Sequence, residues 1–277
     1  MSTCYSVTVS IRFDHVFGFR HIVSNLPAHI YLVYNYSMRL DRLLANSGYG
    51  SRTTVKELIR SGSVTVDGTV IKDSAFHVDP SQSPNICIND TKAKTTLFLH
   101  YIMNKPAGCI TALDDIKHKT IADYIPGNLL TAGIFPVGRL DIDTTGLLIL
   151  TNNGTLCHRL TGPSWGIRKT YYLEAQDKFF DERDIEILAH GLPLGSGIVC
   201  KPAKLEILSS SCALLTISEG KYHQVKRMIK ALGGTVNRLE RLSMGPVILP
   251  KDLSPGEIRE LTDKQIADLY DSVGLSR

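Results

Sequence analysis

Apolar positions in residues 38–85 change from a helical period to a strand period. In two short stretches, apolar residues recur at i, i+3 and i+4, which marks one face of a helix. The apolar positions of these stretches are Leu40, Leu43, Leu44, Val55, Leu58 and Ile59. Residues 64–72 alternate instead, and Asp67-Gly68 in their middle predicts a tight hairpin. Residues 38–85 therefore predict a helix–helix–hairpin domain.

The rest of the chain, residues 97–273, mixes strand and helix patterns. Strands are predicted at 97–103, 147–151, 170–175, 204–208 and 213–218. Helices are predicted at 181–190, 223–232 and 262–273. This mixture indicates an α+β fold with mostly antiparallel strands. Residues 80–95 are rich in proline, serine, asparagine and lysine, so a linker is predicted at 86–96.

Residues 1–37 follow neither period. They hold two arginines, one aspartate and no lysine, and Pro27 and several polar residues interrupt the apolar core that a secretory signal needs. A transit peptide remains open, because the segment is poor in acidic residues. We expect Met38 to begin the functional protein, with residues 1–37 either a disordered extension or a segment upstream of the true start.

The overall charge is mild, but its distribution is uneven. The formal net charge is +4, and no apolar run approaches the 18 residues of a membrane helix, so no membrane contact is predicted. Residues 39–63 hold five arginines and lysines against two acidic residues, and residues 219–241 hold six against two. Two such segments are typical of an RNA-binding surface, although charge alone also fits solvated helix faces.

The six cysteines do not form a metal-binding pattern. No two of them fall at the C-x₂₋₄-C spacing of a structural zinc site, so no metal is predicted. Their wide spacing in a chain of this size indicates reduced thiols and a cytoplasmic protein.

The stretch from Phe135 to Thr151 carries the strongest chemical signal. Arg139, Asp141 and Asp143 lie on a short turn that leads directly into an apolar strand. A carboxylate held rigidly beside a cation suits a catalytic residue. Three alternatives stay open from the residues alone: a structural turn, a pair of hydrolytic carboxylates, and a calcium loop. The last is disfavoured, because the twelfth position is Asn152 and a strand follows.

The segment from Glu219 to Met228 is the second candidate. Gly220 can form a tight turn before a helix, and the amides of the helix start point outward. Basic side chains surround these amides: Lys221, His223, Lys226 and Arg227. Together they suit a phosphate group, whereas the alternative is a solvated basic helix face.

The segment from Trp165 to Tyr172 is the third candidate. Arg168 and Lys169 stand beside Tyr171 and Tyr172 in a predicted strand. Aromatic rings beside cations suit base stacking together with phosphate contact. The alternative is that one of the two tyrosines packs in the core.

These segments, in this order, resemble one known family. Gly138-Arg139-Leu140-Asp141 with Thr144-Thr145-Gly146-Leu147, then Lys169-Thr170-Tyr171, then Glu219 to Met228, are similar to the active-site motifs of the RsuA/RluB/RluE/RluF family of ribosomal RNA pseudouridine synthases. Residues 38–85 resemble the S4 RNA-binding domain of that family, and residues 97–273 its catalytic domain. The resemblance implies an S4 domain followed by a catalytic domain with a mostly antiparallel sheet.

The resemblance also implies roles for individual residues. Asp141 would be the catalytic carboxylate, either as nucleophile at the sugar or as the base that removes the C2′ proton. Lys226 would be its basic partner, Tyr171 would stack on the uracil, and Arg139 would hold the flipped nucleotide. Asp143 is given no catalytic role, and no cofactor is implied. The residues expected to contact RNA are Arg39, Arg42, Arg52, Lys56, Arg60, Lys105, Arg168, Lys169, Lys221, His223 and Arg227.

The expected partner is ribosomal RNA. Residues 141–146 and 222–228 are most similar to family members that act on 16S rRNA, so the predicted substrate is small-subunit rRNA or a partly assembled subunit. A 23S rRNA enzyme of the same family is the nearest alternative. A non-catalytic RNA-binding assembly factor is the alternative of a different class. The family resemblance implies a monomer.

Overall fold

The computed structural model describes residues 37–194 and 197–275, so the extension predicted before Met38 lies, except for Ser37, outside the described residues. The helices are α1 Leu40–Asn46, α2 Arg52–Arg60, α3 Gly127–Thr131, α4 Gly154–Thr161, α5 Glu182–His190, α6 Gln224–Ala231 and α7 Asp263–Ser272. The strands are β1 Met38–Arg39, β2 Val64–Val66, β3 Thr69–Val70, β4 His77–Val78, β5 Ile86–Ile88, β6 Thr91–Lys92, β7 His100–Lys105, β8 Phe135–Pro136, β9 Thr145–Thr151, β10 Lys169–Gln176, β11 Lys204–Ile207, β12 Cys212–Ile217, β13 Thr235–Met244, β14 Val247–Ile248 and β15 Ile258–Glu260.

The first domain packs α1 and α2 against a small four-stranded sheet. Ser51 caps α2 by accepting a hydrogen bond from the Thr54 amide at 3.1 Å. The predicted hairpin is confirmed: β2 pairs antiparallel with β3, and Asp67 and Gly68 take the left-handed conformations that a two-residue turn requires. The apolar faces of both helices meet the sheet in one core.

The prediction of a linker at 86–96 is wrong for most of these residues. β5 pairs with β2, and β6 pairs with β5, so both strands belong to the sheet of the first domain. Ile86 and Ala93 are buried in the same core as the helices. Two short strands separated by Asn89-Asp90 lack the length that a strand pattern needs to stand out from loop composition.

The second domain is built on one large sheet. Its strand order is β11-β12-β10-β13-β9-β7-β15, with β14 beside β13 and β8 beside β9. All pairs are antiparallel except β9 with β13, which confirms the predicted α+β class with a mostly antiparallel sheet. Each face of the sheet supports a core, because Leu148 and Leu150 face α5 and α6, whereas Leu147 and Ile149 face α4 and α7.

The central strand β13 was not predicted from the sequence. Its ten residues carry charges that obscure the alternation of a strand. Arg238 and Glu240 lie on one side and form an ion pair at 2.9 Å, while Leu239 and Arg241 are buried on the other. The strand therefore buries a charged residue where an apolar one is expected. The strand predicted at 97–103 is observed as β7, from His100 to Lys105.

Candidate active site

The turn that carries Asp141 lies just before β9. Behind it, Gly146 lets β9 approach β13 closely: a Cβ at this position would lie 2.4 Å from the Arg241 carbonyl oxygen and 2.8 Å from its amide nitrogen. Gly146 also has φ +96°, a conformation that other residues rarely adopt. The glycine of the motif is thus required by packing, and it anchors the start of β9, directly after the turn.

Lys105 holds the turn from inside the protein. Its ammonium group donates hydrogen bonds to the carbonyl oxygens of Pro106 at 3.0 Å, Asp141 at 3.1 Å and Thr144 at 3.0 Å. The side chain is completely buried, and this desolvation lowers its pKa. Lys105 is one of the residues predicted from the sequence to contact RNA. That prediction is wrong, because the residue has no exposed surface with which to reach RNA.

Two further contacts fix the backbone of the same turn. The Gly108 amide donates to the Ile142 carbonyl at 2.8 Å. The Thr111 hydroxyl donates to the Leu140 carbonyl at 2.8 Å and accepts from the Leu140 amide at 3.0 Å. The segment that follows β7 therefore binds the backbone on both sides of Asp141 and leaves the carboxylate free for other contacts.

Lys226 of α6 and His223, the residue before the helix, face the turn. Lys226 Nζ lies 3.3 Å from Asp141 Oδ2 and 2.5 Å from Asp143 Oδ1, and His223 Nε2 lies 3.3 Å from Asp141 Oδ1. Burial opposes the charged forms of Lys226 and Asp143. Their mutual hydrogen bond and attraction outweigh it, so the pKa of Lys226 is raised and that of Asp143 is lowered. Asp141 itself has a longer ion pair with Lys226 and a contact of the same length with the His223 ring.

The start of α6 is held by a buried carboxylate. Glu219 pairs with Lys221 and accepts hydrogen bonds from the Lys201 amide and the Gln224 side chain, both at 2.9 Å. Burial opposes ionisation of Glu219, but these donors outweigh it and lower its pKa. His223 adopts a left-handed conformation, with φ 47° and ψ 36°, which costs a residue other than glycine about 1–2 kcal/mol. Such strain is common where function fixes a side chain.

Four predicted catalytic residues line one pocket. The predicted contacts Lys221 and His223 line it as well, and its full lining is Arg139, Leu140, Asp141, Thr144, Tyr171, Ile217, Gly220, Lys221, His223, Gln224, Val225, Lys226 and Leu239. Tyr171 comes from β10 and is buried, while Arg139 is exposed at the rim. The hydroxyl of Thr144 is buried and has no hydrogen-bond partner among the described residues.

Lys169 does not face solvent as an RNA contact would. It is buried, and its ammonium group donates to the Ile167 carbonyl at 2.9 Å. Burial, together with repulsion from the neighbouring Arg241, lowers its pKa to about 8. The prediction of an RNA contact is therefore wrong for Lys169. Arg241, which sequence reasoning did not select, is also buried and donates to the Leu147 carbonyl at 2.7 Å.

The other predicted RNA contacts are spread over the surface. Arg39 is paired with Asp41 at 2.7 Å, and Arg168 is exposed. Arg227 donates to the Leu194 carbonyl at 3.4 Å from a half-buried position on α6. The remaining predicted RNA contacts in the first domain are exposed or half-buried on α1 and α2: Arg42, Arg52, Lys56 and Arg60.

No group of three or more histidine, cysteine, aspartate or glutamate side chains is arranged to hold a metal ion in the part of the chain that the structure describes. No described helix combines the length and apolarity needed to span a membrane.

The matches of this chain to known proteins identify its family. The RNA pseudouridylate synthase model matches residues 100–231, and the S4 domain model matches residues 38–83. The RNA pseudouridine synthase YtzG of Bacillus subtilis strain 168 is 44% identical over 233 residues, which cover 83% of this chain and 97% of that protein. The chain belongs to the RNA pseudouridine synthase family. It is therefore an isomerase, with an S4 domain followed by a catalytic domain.

Other members of this family also match the chain over nearly their whole length. Ribosomal small subunit pseudouridine synthase A of Escherichia coli strain K12 is 37% identical over 233 residues, covering 84% of this chain and all of that protein. A pseudouridylate synthase crystal structure superposes with a TM-score of 0.59 at 36% identity, covering 84% of this chain and 99% of that one. The whole length of these relatives is thus represented in this synthase.

Proposed function

We propose that this synthase converts one uridine of 16S rRNA to pseudouridine and that Asp141 is its catalytic carboxylate. The position of Asp141 carries the proposal: its carboxylate shares one pocket with Tyr171 and lies 3.3 Å from both Lys226 and His223. The 37% identity to small-subunit synthases over 84% of the chain supports the choice of 16S rRNA.

The residues of the pocket suit a flipped uridine. Extruding a base from its stack costs a few kcal/mol, and stacking on an aromatic ring inside a pocket offsets part of this cost. Tyr171 offers that ring. Arg139 makes no hydrogen bond or ion pair with any described residue, so its guanidinium is available to the phosphate or sugar of the flipped nucleotide.

The reaction that these residues would perform is an isomerisation. The N1–C1′ bond breaks, the uracil turns, C5 bonds to C1′, and the proton on C5 is lost to water while N1 gains one. Asp141 would act either as nucleophile at C1′ or as the base at C2′, and both routes give the same product. Its contacts with Lys226 and His223, both at 3.3 Å, orient the carboxylate without the short bond that Asp143 makes.

The basic helices of the first domain would dock the surrounding RNA. Arg42 and Arg52 line a second pocket together with Asn46, Thr131 and Asn152, so cations of the first domain stand next to the end of α3 and the residue that follows β9. We propose that residues 38–96 form the docking unit and residues 97–273 the catalytic unit. We also propose that the synthase works as a cytoplasmic monomer on free small-subunit rRNA or a partly assembled subunit.

Tritium release tests the proposed substrate. Uridine labelled with tritium at C5 loses the label when pseudouridine forms, so 16S and 23S rRNA labelled in this way can be compared directly. We expect stoichiometric release from 16S rRNA and none from 23S rRNA. Release from 23S rRNA alone would refute the small-subunit assignment. RNA binding without release from either would favour a non-catalytic assembly factor.

A further inference from the structure

Tyr222 is an aromatic residue that the reaction described above does not use. It is 78% exposed and lies between Lys221 and His223, which both line the pocket, although Tyr222 itself does not. Single exposed apolar residues are common on proteins and need no explanation by themselves. The surroundings of Tyr222, however, are unusual.

The Tyr222 ring is stacked on the ring of His223. Their centroids are 3.8 Å apart, and the planes differ by 17°. His223 Nε2 in turn lies 3.3 Å from the Asp141 carboxylate, and the left-handed backbone of His223 fixes its direction. The Tyr222 ring is therefore held at the rim of the pocket, one aromatic ring away from the catalytic carboxylate, with its other face open.

The neighbours of Tyr222 are already engaged within the protein. Lys221 is paired with Glu219, and Lys226 is paired with both aspartates. Among the described residues, no hydrogen bond or ion pair engages the Tyr222 side chain, and its ring contact is with His223. An ordered ring with one face free is suited to a partner that stacks.

We propose that Tyr222 is the stacking platform for the base next to the target uridine. When the uridine leaves its stack and enters the pocket, the adjacent base loses a stacking partner and remains at the rim, one phosphate away. The free face of Tyr222 replaces that partner, and it accepts any base because every base has an aromatic face. Tyr222 would thus stabilise the flipped state without touching the reacting atoms. The inference rests on the proposed function.

Kinetics of four variants test the platform. Loss of base stacking corresponds to about 1–3 kcal/mol, so Tyr222→Ala and Tyr222→Leu should raise KM for the labelled rRNA by roughly 5- to 150-fold. Tyr222→Phe, which keeps the ring, should stay within about twofold of wild type. The matched control is Phe179→Ala, because Phe179 is 76% exposed and does not line the pocket. It should leave KM unchanged.

A fluorescent base locates the contact directly. A synthetic RNA fragment carries 2-aminopurine on the 5′ or the 3′ side of the uridine that wild-type enzyme modifies. Binding should quench one of the two probes with wild type and Tyr222→Phe, but not with Tyr222→Leu. Unchanged KM in Tyr222→Ala, or a fall in kcat with KM and quenching unchanged, would overturn the platform and leave only positioning of His223. Failure of wild-type enzyme to release tritium would instead refute the proposed function.

Discussion

Replacing Lys105 by methionine tests how the turn that carries Asp141 is held. The variant keeps an unbranched apolar side chain as far as Cε but removes the ammonium group that donates to three carbonyl oxygens at 3.0–3.1 Å. Leaving a buried acceptor unsatisfied costs about 1–3 kcal/mol. The variant no longer buries a charge, and this gain offsets part of the cost of the unsatisfied carbonyl groups. We therefore expect the free energy of unfolding to fall by about 2–4 kcal/mol.

The same change should slow the reaction more than it weakens RNA binding. Two of the three carbonyls belong to Asp141 and Thr144, so their release lets the carboxylate move, and a displacement of about 1 Å can reduce the rate about 100-fold. KM and the salt dependence of binding should stay close to wild type, since Lys105 is completely buried.

Urea unfolding and tritium release measure the two effects of the Lys105→Met change. The control is Lys94→Met, because the Lys94 side chain is 87% exposed and its ammonium group makes a long ion pair of 4.0 Å with Glu260. That control should change stability by less than about 0.5 kcal/mol. If Lys105→Met raised KM and flattened the salt dependence while kcat and stability stayed at the wild-type level, Lys105 would be an RNA contact after all.

Three other substitutions give independent checks. Gly146→Ala adds both positive-φ strain and a clash with the Arg241 backbone, whereas Gly133→Ala adds the strain alone, because no atom lies within 4 Å of its new Cβ. Gly146→Ala should therefore lower the free energy of unfolding by about 1–3 kcal/mol more than Gly133→Ala. Equal losses in the two variants would refute the clash. The pKa of Lys169 is about 8 in the folded protein against 10.5 for an ordinary lysine, so the unfolded chain binds more protons between these pH values. The free energy of unfolding of wild type should therefore rise over that range, by at most about 3 kcal/mol, and urea titrations of Lys169→Met should lack this rise; a rise of the same size in the variant would contradict burial of the cation. Arg52→Ala should weaken rRNA binding and reduce the slope of log K against log salt by about 1, and an unchanged slope would place Arg52 away from the RNA.

Local signals in the sequence predicted the parts of the fold that depend on neighbouring residues. Asp67-Gly68 gave the hairpin because its turn type needs left-handed residues at both positions. Leu40, Leu43 and Leu44 gave α1 because their spacing builds one buried face. β13 was not predicted, because its charged residues hide the strand pattern. Arg238 pairs with Glu240 and Arg241 is buried only once the sheet has assembled.

Several residues that line the candidate pocket were named from the sequence, but the contacts that hold the pocket in place were not. Asp141, Tyr171 and Lys226 are far apart in sequence, and the structure brings them to one pocket. Lys105 and Lys169 were interpreted as surface cations because lysine is rarely buried. Their burial depends on carbonyl groups supplied by distant turns, which no local pattern of residues records.

The most direct test of the account compares Asp141→Asn with Asp143→Asn in single-turnover tritium release from labelled 16S rRNA. Both variants remove one charge from the same turn and one ion pair from Lys226. We predict that Asp141→Asn abolishes release while RNA binding persists, and that Asp143→Asn retains measurable release. Release by Asp141→Asn, or equal loss in both variants, would contradict Asp141 as the sole catalytic carboxylate and favour a paired-carboxylate mechanism.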